Sequence, residues 1–253
     1  MTRPSVLITG GARRIGAAIS RAFGEAGWHV VIHFGRSHAE AEALASDLPS
    51  AETIHCDLSD GDAATSMVMA LAGRLADWRC LVTSASVFER DDVTALDPTI
   101  FRRAMQVNAA TPARMAQAYL ARARAAAGRR VIQVTDQKLA NPNPDFFSYT
   151  MSKHALASTV PMLAMGAAAP GDRIYGLAPG AILPSHDQSP GDAEHSHRLN
   201  LLKRRTSAEE VAQAALFLVG GDLASGQTLY VDSGQHLLRQ KRDVMFLARE
   251  EAD

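Results

Sequence analysis

Tyr149 and Lys153 stand four residues apart, and Asp136 stands thirteen residues before the tyrosine. Residues at i and i+4 share one face of a helix, so this spacing sets an ammonium beside a phenol. A cation there favours the phenolate and draws the tyrosine pKa down from about 10. Tyr149 then becomes a usable proton donor near neutral pH. A carboxylate in the same group adds an acceptor when ionised and a second proton source when protonated.

Apolar periodicity gives the elements that must hold these side chains. Candidate strands cover residues 5–9, 29–33, 53–56, 80–84, 130–135, 172–177 and 227–231. Helical patterns lie between them at 14–26, 39–47, 60–76, 98–126, 148–168 and 207–219, with the alanine-rich stretch 121–127 read as helix. Strands that alternate with helices and read as nearly continuous apolar runs predict an α/β fold. The expectation is a single-domain Rossmann fold over residues 1–253: a doubly wound parallel sheet of about seven strands, with helices on both faces. Pro98 suits a first helical turn, and Pro161 predicts a kink.

Composition narrows the setting. A net charge of −1 offers no pull toward nucleic acid or an anionic membrane. Lys203-Arg204-Arg205 is the one concentrated basic cluster and reads as a solvated helix end. No apolar run reaches about 18 residues, so no transmembrane helix is expected. Cys56 and Cys80 sit in apolar, strand-like contexts and read as core residues in a reducing compartment. The N-terminus enters a strand within five residues, which leaves no secretory signal and predicts a cytoplasmic protein.

Thr9-Gly10-Gly11-Ala12-Arg13-Arg14-Ile15-Gly16 follows the first strand and opens the first helix. A glycine-rich turn so placed lets a dinucleotide diphosphate approach the helix N-terminus. The second strand runs into His33-Phe34-Gly35-Arg36-Ser37, with no carboxylate for a ribose 2′-hydroxyl. Arg36, Ser37 and Arg14 could surround a 2′-phosphate, which predicts NADPH over NADH. Cys56-Asp57-Leu58 ends the third strand, where Asp57 suits either an adenine amino group or a helix cap.

Together these residues resemble the short-chain dehydrogenase/reductase family over essentially the whole chain. The family pattern is Thr-Gly-x3-Gly-x-Gly, Asn-Asn-Ala-Gly after the fourth strand, a helix Asn, a Ser, Tyr-x3-Lys and Pro-Gly. The chain has Thr9, Gly10, Gly16, Ala85, Asn108, Tyr149, Lys153 and Pro179-Gly180 in these places. Arg14 replaces the middle glycine, Thr83-Ser84-Ala85-Ser86 replaces Asn-Asn-Ala-Gly, and Asp136 replaces the catalytic serine. The departures at Arg14, Ser86 and Asp136, with His33-x-x-Arg36-Ser37, resemble the pteridine reductase branch, which includes bacterial dihydromonapterin and dihydrofolate reductases. The segment 231–237 is similar to that branch's tail.

The resemblance implies a cofactor site built on Gly10, Arg13, Arg14, Ile15 and Gly16. It extends to His33, Arg36 and Ser37, to Asp57 and Leu58, and to Ser84, Ala85 and Ser86. Lys153, on the nicotinamide ribose hydroxyls, and Pro179-Gly180 complete it. The implied catalytic set is Asp136, Tyr149, Lys153 and Asn108, with Asn108 ordering a water behind Lys153. Ser86 and Phe88 would hold a pterin, Phe88 sandwiching it against the nicotinamide. The resemblance also implies a homotetramer.

The carboxylate bears on the substrate. An ionised Asp136 cannot donate to a carbonyl, as a serine does, and would repel an oxygen gaining negative charge. A dihydropterin C=N needs a proton on nitrogen as carbon takes hydride, and Asp136 could steady Tyr149 or pass it a proton. The expected reaction is NADPH-dependent reduction of a dihydropterin. The alternatives are a carbonyl reductase of the same family and a non-catalytic nucleotide-sensing protein. A structural hydrogen bond in the strand-end turn is the competing role for Asp136.

Residues 184–205 form the candidate substrate loop. Its histidines His186, His195 and His197 are too loosely spaced for zinc and suit a mobile surface loop that could act as a lid. Phe146 and Phe147 line the pocket or pack in the core. The tail 239–253 is a candidate to dock on a neighbouring subunit.

Overall fold

The strands are β1 (Ser5–Thr9), β2 (His29–Phe34), β3 (Ala51–His55), β4 (Trp78–Thr83), β5 (Arg130–Val134), β6 (Arg173–Pro179) and β7 (Thr228–Val231). All pair in parallel in one sheet of order β3-β2-β1-β4-β5-β6-β7. The structure, a computed structural model, describes residues 3–184 and 190–250. The helices are α1 (Arg14–Glu25), α2 (His38–Asp47), α3 (Gly61–Arg74), α4 (Pro98–Met105), α5 (Thr111–Arg122), α6 (Phe147–Gly166), α7 (Pro190–Ser196), α8 (Ala208–Gly220) and α9 (Val244–Glu250). The Rossmann-like α/β fold read from the sequence is the fold of the chain.

Strand alternation splits the core into two layers, because side chains i and i+1 point to opposite faces. Val6 and Ile8 of β1 pack with Ile19, Phe23 and Val211 on the α1/α8 side. Leu7 packs with Leu71, Trp78, Met115 and Tyr119 on the α3/α5 side. The buried polar tips are satisfied: Trp78 Nε1 donates to Cys80 O at 2.8 Å, and Tyr119 OH to Trp78 O at 3.1 Å. Cys56 and Cys80 are free thiols in this core, as expected.

Strand order reverses between β1 and β4, so a crevice opens at their carboxyl ends, where α/β sheets hold ligands. The β1–α1 glycine turn and the Ser84–Phe88 segment flank it. The β5–α6 connection brings in Asp136 and Tyr149.

Several elements depart from expectation. The stretch read as one helix over 98–126 is α4, a π-helical turn at Gln106–Ala110, and α5. It ends at Arg122, because Ala126 N donates to Asp77 Oδ1 and Trp78 N to Arg124 O, strapping residues 124–126 to the entry of β4. Tertiary pairing overrides alanine's helix preference there. α6 runs through Pro161 as one continuous helix. Part of the segment read as a loop is α7, while residues 185–189, with His186, lie outside the described residues. Among the described residues no helix is long and apolar enough to cross a membrane.

Candidate active site

The glycine turn is closely packed. A Cβ on Gly10 would stand 3.0 Å from Ala85 Cα, and one on Gly16 would stand 2.1 Å from Gly10 O. α1 has no side-chain cap and no acid in its first turn, so its free N–H groups face the crevice. That combination fits a diphosphate. Arg14 keeps the left-handed backbone of the glycine it replaces (φ 56°). Its guanidinium donates to Pro184 O at 2.8 Å and Leu183 O at 3.2 Å, tying the turn to the chain after β6. Thr9 braces the other side, its hydroxyl oxygen accepting from Ser84 N (3.0 Å) and Ala85 N (3.1 Å).

The catalytic candidates come together. Tyr149 OH donates to Asp136 Oδ2 at 2.6 Å, and Asp136 Oδ1 accepts from Lys138 N at 2.8 Å. Asp136 thus performs both roles weighed for it: it closes the strand-end turn and holds the phenol. Asp91 caps α6, accepting from Ser148 N at 2.9 Å and from the Ser148 hydroxyl, and this fixes the turn that carries Tyr149. Lys153 Nζ donates to Val134 O at 2.9 Å and lies 5.7 Å from the centre of the Tyr149 ring.

The electrostatics reverse one expectation. Burial first, and then the Asp136 charge, hold the Tyr149 pKa well above 10. A carboxylate at hydrogen-bond distance outweighs the more distant ammonium. Burial lowers Lys153 to about 8, partly opposed by attraction to Asp136. Burial also raises Asp136, against the pull of Lys138, Tyr149 and Lys153. Tyr149 and Asp136 therefore behave as a coupled pair inclined to hold protons.

Asn108 sits in the π-helical turn, a feature frequent at functional sites. It is fully buried and donates to Val87 O (2.9 Å) and Ser152 Oγ (3.0 Å), while Val87 N donates to its Oδ1 (2.8 Å). The amide thus grips the Ser86–Phe88 segment through both atoms of Val87 and spends its other hydrogen on Ser152 of α6. Ser152 in turn donates to Tyr149 O at 2.7 Å, linking the clamp to the catalytic helix. Sequence reading passed over Ser152, although its place directly before Lys153 is visible in the chain.

A cavity of about 520 Å³ joins these groups. Its walls include Gly10, Arg13, Arg14, Ile15 and Gly16, then Ser84, Ala85, Ser86 and Phe88. Asp136, Tyr149, Lys153, Pro179 and Gly180 complete the face toward β5 and β6. Phe88 stacks on Phe146, with centroids 4.0 Å apart, and meets Tyr149 edge-on at 4.7 Å. His197 is buried against the cavity, and His195 is exposed on α7. Among the described residues no three His, Cys, Asp or Glu side chains converge as metal ligands. The tail packs on its own chain at Met245, which clusters with Phe146 and Tyr149. No local pattern marks this contact, because it joins residues about a hundred positions apart.

The remaining cofactor candidates lie at the β2–β3 edge. Arg36 is exposed, and Ser37 precedes α2. Asp57 accepts from Ser59 N at 2.9 Å, while Asp60 caps α3. Leu58 packs in the core and its carbonyl accepts from Thr111, so any ligand contact would fall to its amide N–H. His33 has no such freedom. Gly10 N donates to its Nδ1 (3.1 Å), and its Nε2 donates to Cys56 O (3.0 Å). Through these two bonds it braces the glycine turn against the end of β3.

Burial, partly offset by the bond to Cys56, lowers the His33 pKa to about 4 from 6.5. Folding therefore favours the neutral ring. Its contribution is complete above pH 6.5 and is lost as pH falls toward about 4, where the folded ring also protonates. The loss should be on the order of 3 kcal/mol. Urea unfolding of the parent and of His33→Asn at several pH values checks this. The variant should lack that part of the slope.

A model of the family described as enoyl-(acyl carrier protein) reductase matches residues 10–236. The chain belongs to the short-chain dehydrogenase/reductase family of oxidoreductases. Within it, the chain is similar to pteridine reductase 1 of Leishmania tarentolae, at 29% identity over 94% of this chain and 98% of that protein. It is similar also to short-chain dehydrogenase reductase 5 of Arabidopsis thaliana, at 31% identity over 92% and 95%. Among solved structures it matches FolM alternative dihydrofolate reductase 1 from Brucella canis complexed with NADP, with TM-score 0.87, 34% identity and coverage of 95% and 96%. The Brucella suis protein, also in complex with NADP, gives TM-score 0.88 and 34% identity over 96% and 98%. The likenesses to pteridine reductase 1 and to FolM match the pteridine reductase-like branch.

Proposed function

We propose that the protein is an NADPH-dependent reductase of a dihydropterin, acting on a ring C=N. The observation that carries this reading is the 2.6 Å bond between Tyr149 and Asp136 inside a cavity walled by Phe88. A carboxylate there opposes charge on a carbonyl oxygen but suits protonation of a ring nitrogen. The similarity to pteridine reductase 1 and to FolM supports the same substrate class.

Bound NADPH supplies the hydride. Tyr149 gives its proton to the ring nitrogen, and Asp136, with its raised pKa, takes a proton from solvent and returns it to the phenol oxygen. Hydride on carbon and proton on nitrogen convert C=N to CH–NH. Lys153 holds the nicotinamide ribose hydroxyls and offsets charge on the pair. Ser86 and Phe88 hold the flat ring, and residues 184–205 form the substrate loop of a single domain.

Arg36 and Ser37 select the 2′-phosphate. Arg36→Ala should raise the NADPH KM about tenfold or more, leaving the NADH KM unchanged. Steady-state kinetics with both cofactors measure this. The protein acts in the cytoplasm as a homotetramer, and exposed Met162 and Met165 on α6 and Phe217 on α8 support the assembly. Light scattering measures the assembly.

Following NADPH oxidation with dihydromonapterin, dihydrobiopterin, dihydrofolate and a panel of ketones tests the function. Turnover of ketones alone makes the protein a carbonyl reductase. NADPH binding without turnover makes it a nucleotide sensor.

A further inference from the structure

The C-terminal segment forms part of the pocket wall, and nothing in the catalytic arrangement explains it. Met245 is 3% exposed, lines the cavity, and forms one cluster with Phe146 and Tyr149, against which Phe88 packs. Two ion pairs hold it there. Lys138 Nζ lies 2.7 Å from Asp243 Oδ2, both side chains nearly buried. Arg242 forks onto Asp145, with Nε 2.9 Å from Oδ2 and a terminal nitrogen 2.9 Å from Oδ1. Asp243 N donates to Asp145 Oδ2 at 2.8 Å, and Met245 N to Asp243 Oδ1 at 3.0 Å. Buried charges are costly to separate, so residues 242–245 are fixed to the loop that leads into α6.

The same segment steadies a strained residue. Phe146 precedes α6 with φ 53°, unfavourable for a bulky side chain. Phe88 on one side, Phe246 at 6.1 Å and the Lys138 ammonium at 5.1 Å surround its ring. Phe246 itself meets the guanidinium groups of Arg90 and Arg242 at 5.0 Å and 4.9 Å.

We propose that Met245 is a specificity-determining residue that touches the substrate, and that the Lys138–Asp243 and Arg242–Asp145 pairs are positioning contacts that hold it at the pocket. The inference rests on the pterin reading for its substrate and on Tyr149 as proton donor. A ring that presents its nitrogen to Tyr149 and a face to Phe88 lies within reach of Met245, because the three side chains share one cluster. A thioether favours an aromatic contact, and its flexible stem adapts to substituents on the ring. Met245 therefore sets the width of the slot on its C-terminal side.

Full-length Met245→Ala and Met245→Trp variants test this by steady-state kinetics, fluorescence titration of NADPH and thermal melting. Met245→Ala should raise the substrate KM about tenfold and relax discrimination against bulkier ring substituents. NADPH affinity should stay within about twofold. Met245→Trp should lower kcat/KM more for bulky substrates than for small ones. A merely structural residue would lower the melting temperature and leave substrate selectivity alone. Unchanged substrate KM and selectivity in both folded variants overturns the proposal. If the parent reduces only ketones, the pterin reading falls, and the same shifts measured on a ketone still uphold Met245. A parent that turns over neither class removes both.

Discussion

Tyr149→Phe should lower kcat by roughly 10²–10⁴-fold, with NADPH affinity within about twofold of the parent. The phenol bonds to Asp136 at 2.6 Å and faces the cavity, so its loss removes the proton delivered to substrate. The ring stays, and with it the edge-on contact to Phe88. Asp136 Oδ2 loses its donor, which costs about 1–3 kcal/mol of stability. A thermal melt separates that loss from the kinetic one. Near-full turnover in a folded Tyr149→Phe protein would sink the proton-donor role.

Asp136→Asn should lower kcat on a dihydropterin by roughly 100-fold or more, because an amide cannot return a proton to the phenol. Its oxygen still accepts from Lys138 N, so the strand-end turn survives and the melting temperature changes little. Burial still holds the Tyr149 pKa up, but it should fall from its value in the parent once the adjacent charge is gone. Ultraviolet titration of the phenol, read beside the pH profile of kcat, checks both. Equal turnover and an unmoved tyrosine titration would show that Asp136 is only a turn-former. Asp136→Ser, the family's ordinary residue, should favour ketones over pterins, since a hydroxyl can donate to a carbonyl.

The fold was legible because its signals are local. Short apolar runs between amphipathic helices form a parallel sheet through repeated right-handed crossovers, which makes the fold class legible, while the order β3-β2-β1-β4-β5-β6-β7 is set by tertiary pairing. The glycine turn, the Tyr149/Lys153 spacing and Asp136 were legible for the same reason. Each is a short pattern whose chemistry depends on residue type and on one neighbouring element. The 98–126 stretch was misread because the strap from Ala126 to Asp77 and the π-helical turn at Asn108 are tertiary, and helix propensity carries no trace of them.

The sequence by itself determined which atoms can do chemistry: a phenol, an ammonium and a carboxylate at fixed spacings, behind a glycine-walled turn. Only the tertiary structure decided how those atoms are charged and what encloses them. It buried Tyr149 and set it against Asp136 with Lys153 further away, which raised the phenol pKa where spacing alone predicted a fall. It spent both nitrogens of His33 on bracing and turned Arg14 onto the chain after β6. It brought Met245 from the end of the chain onto the pocket. Distances between groups far apart in sequence, and the burial that magnifies their charges, exist only once the chain has folded.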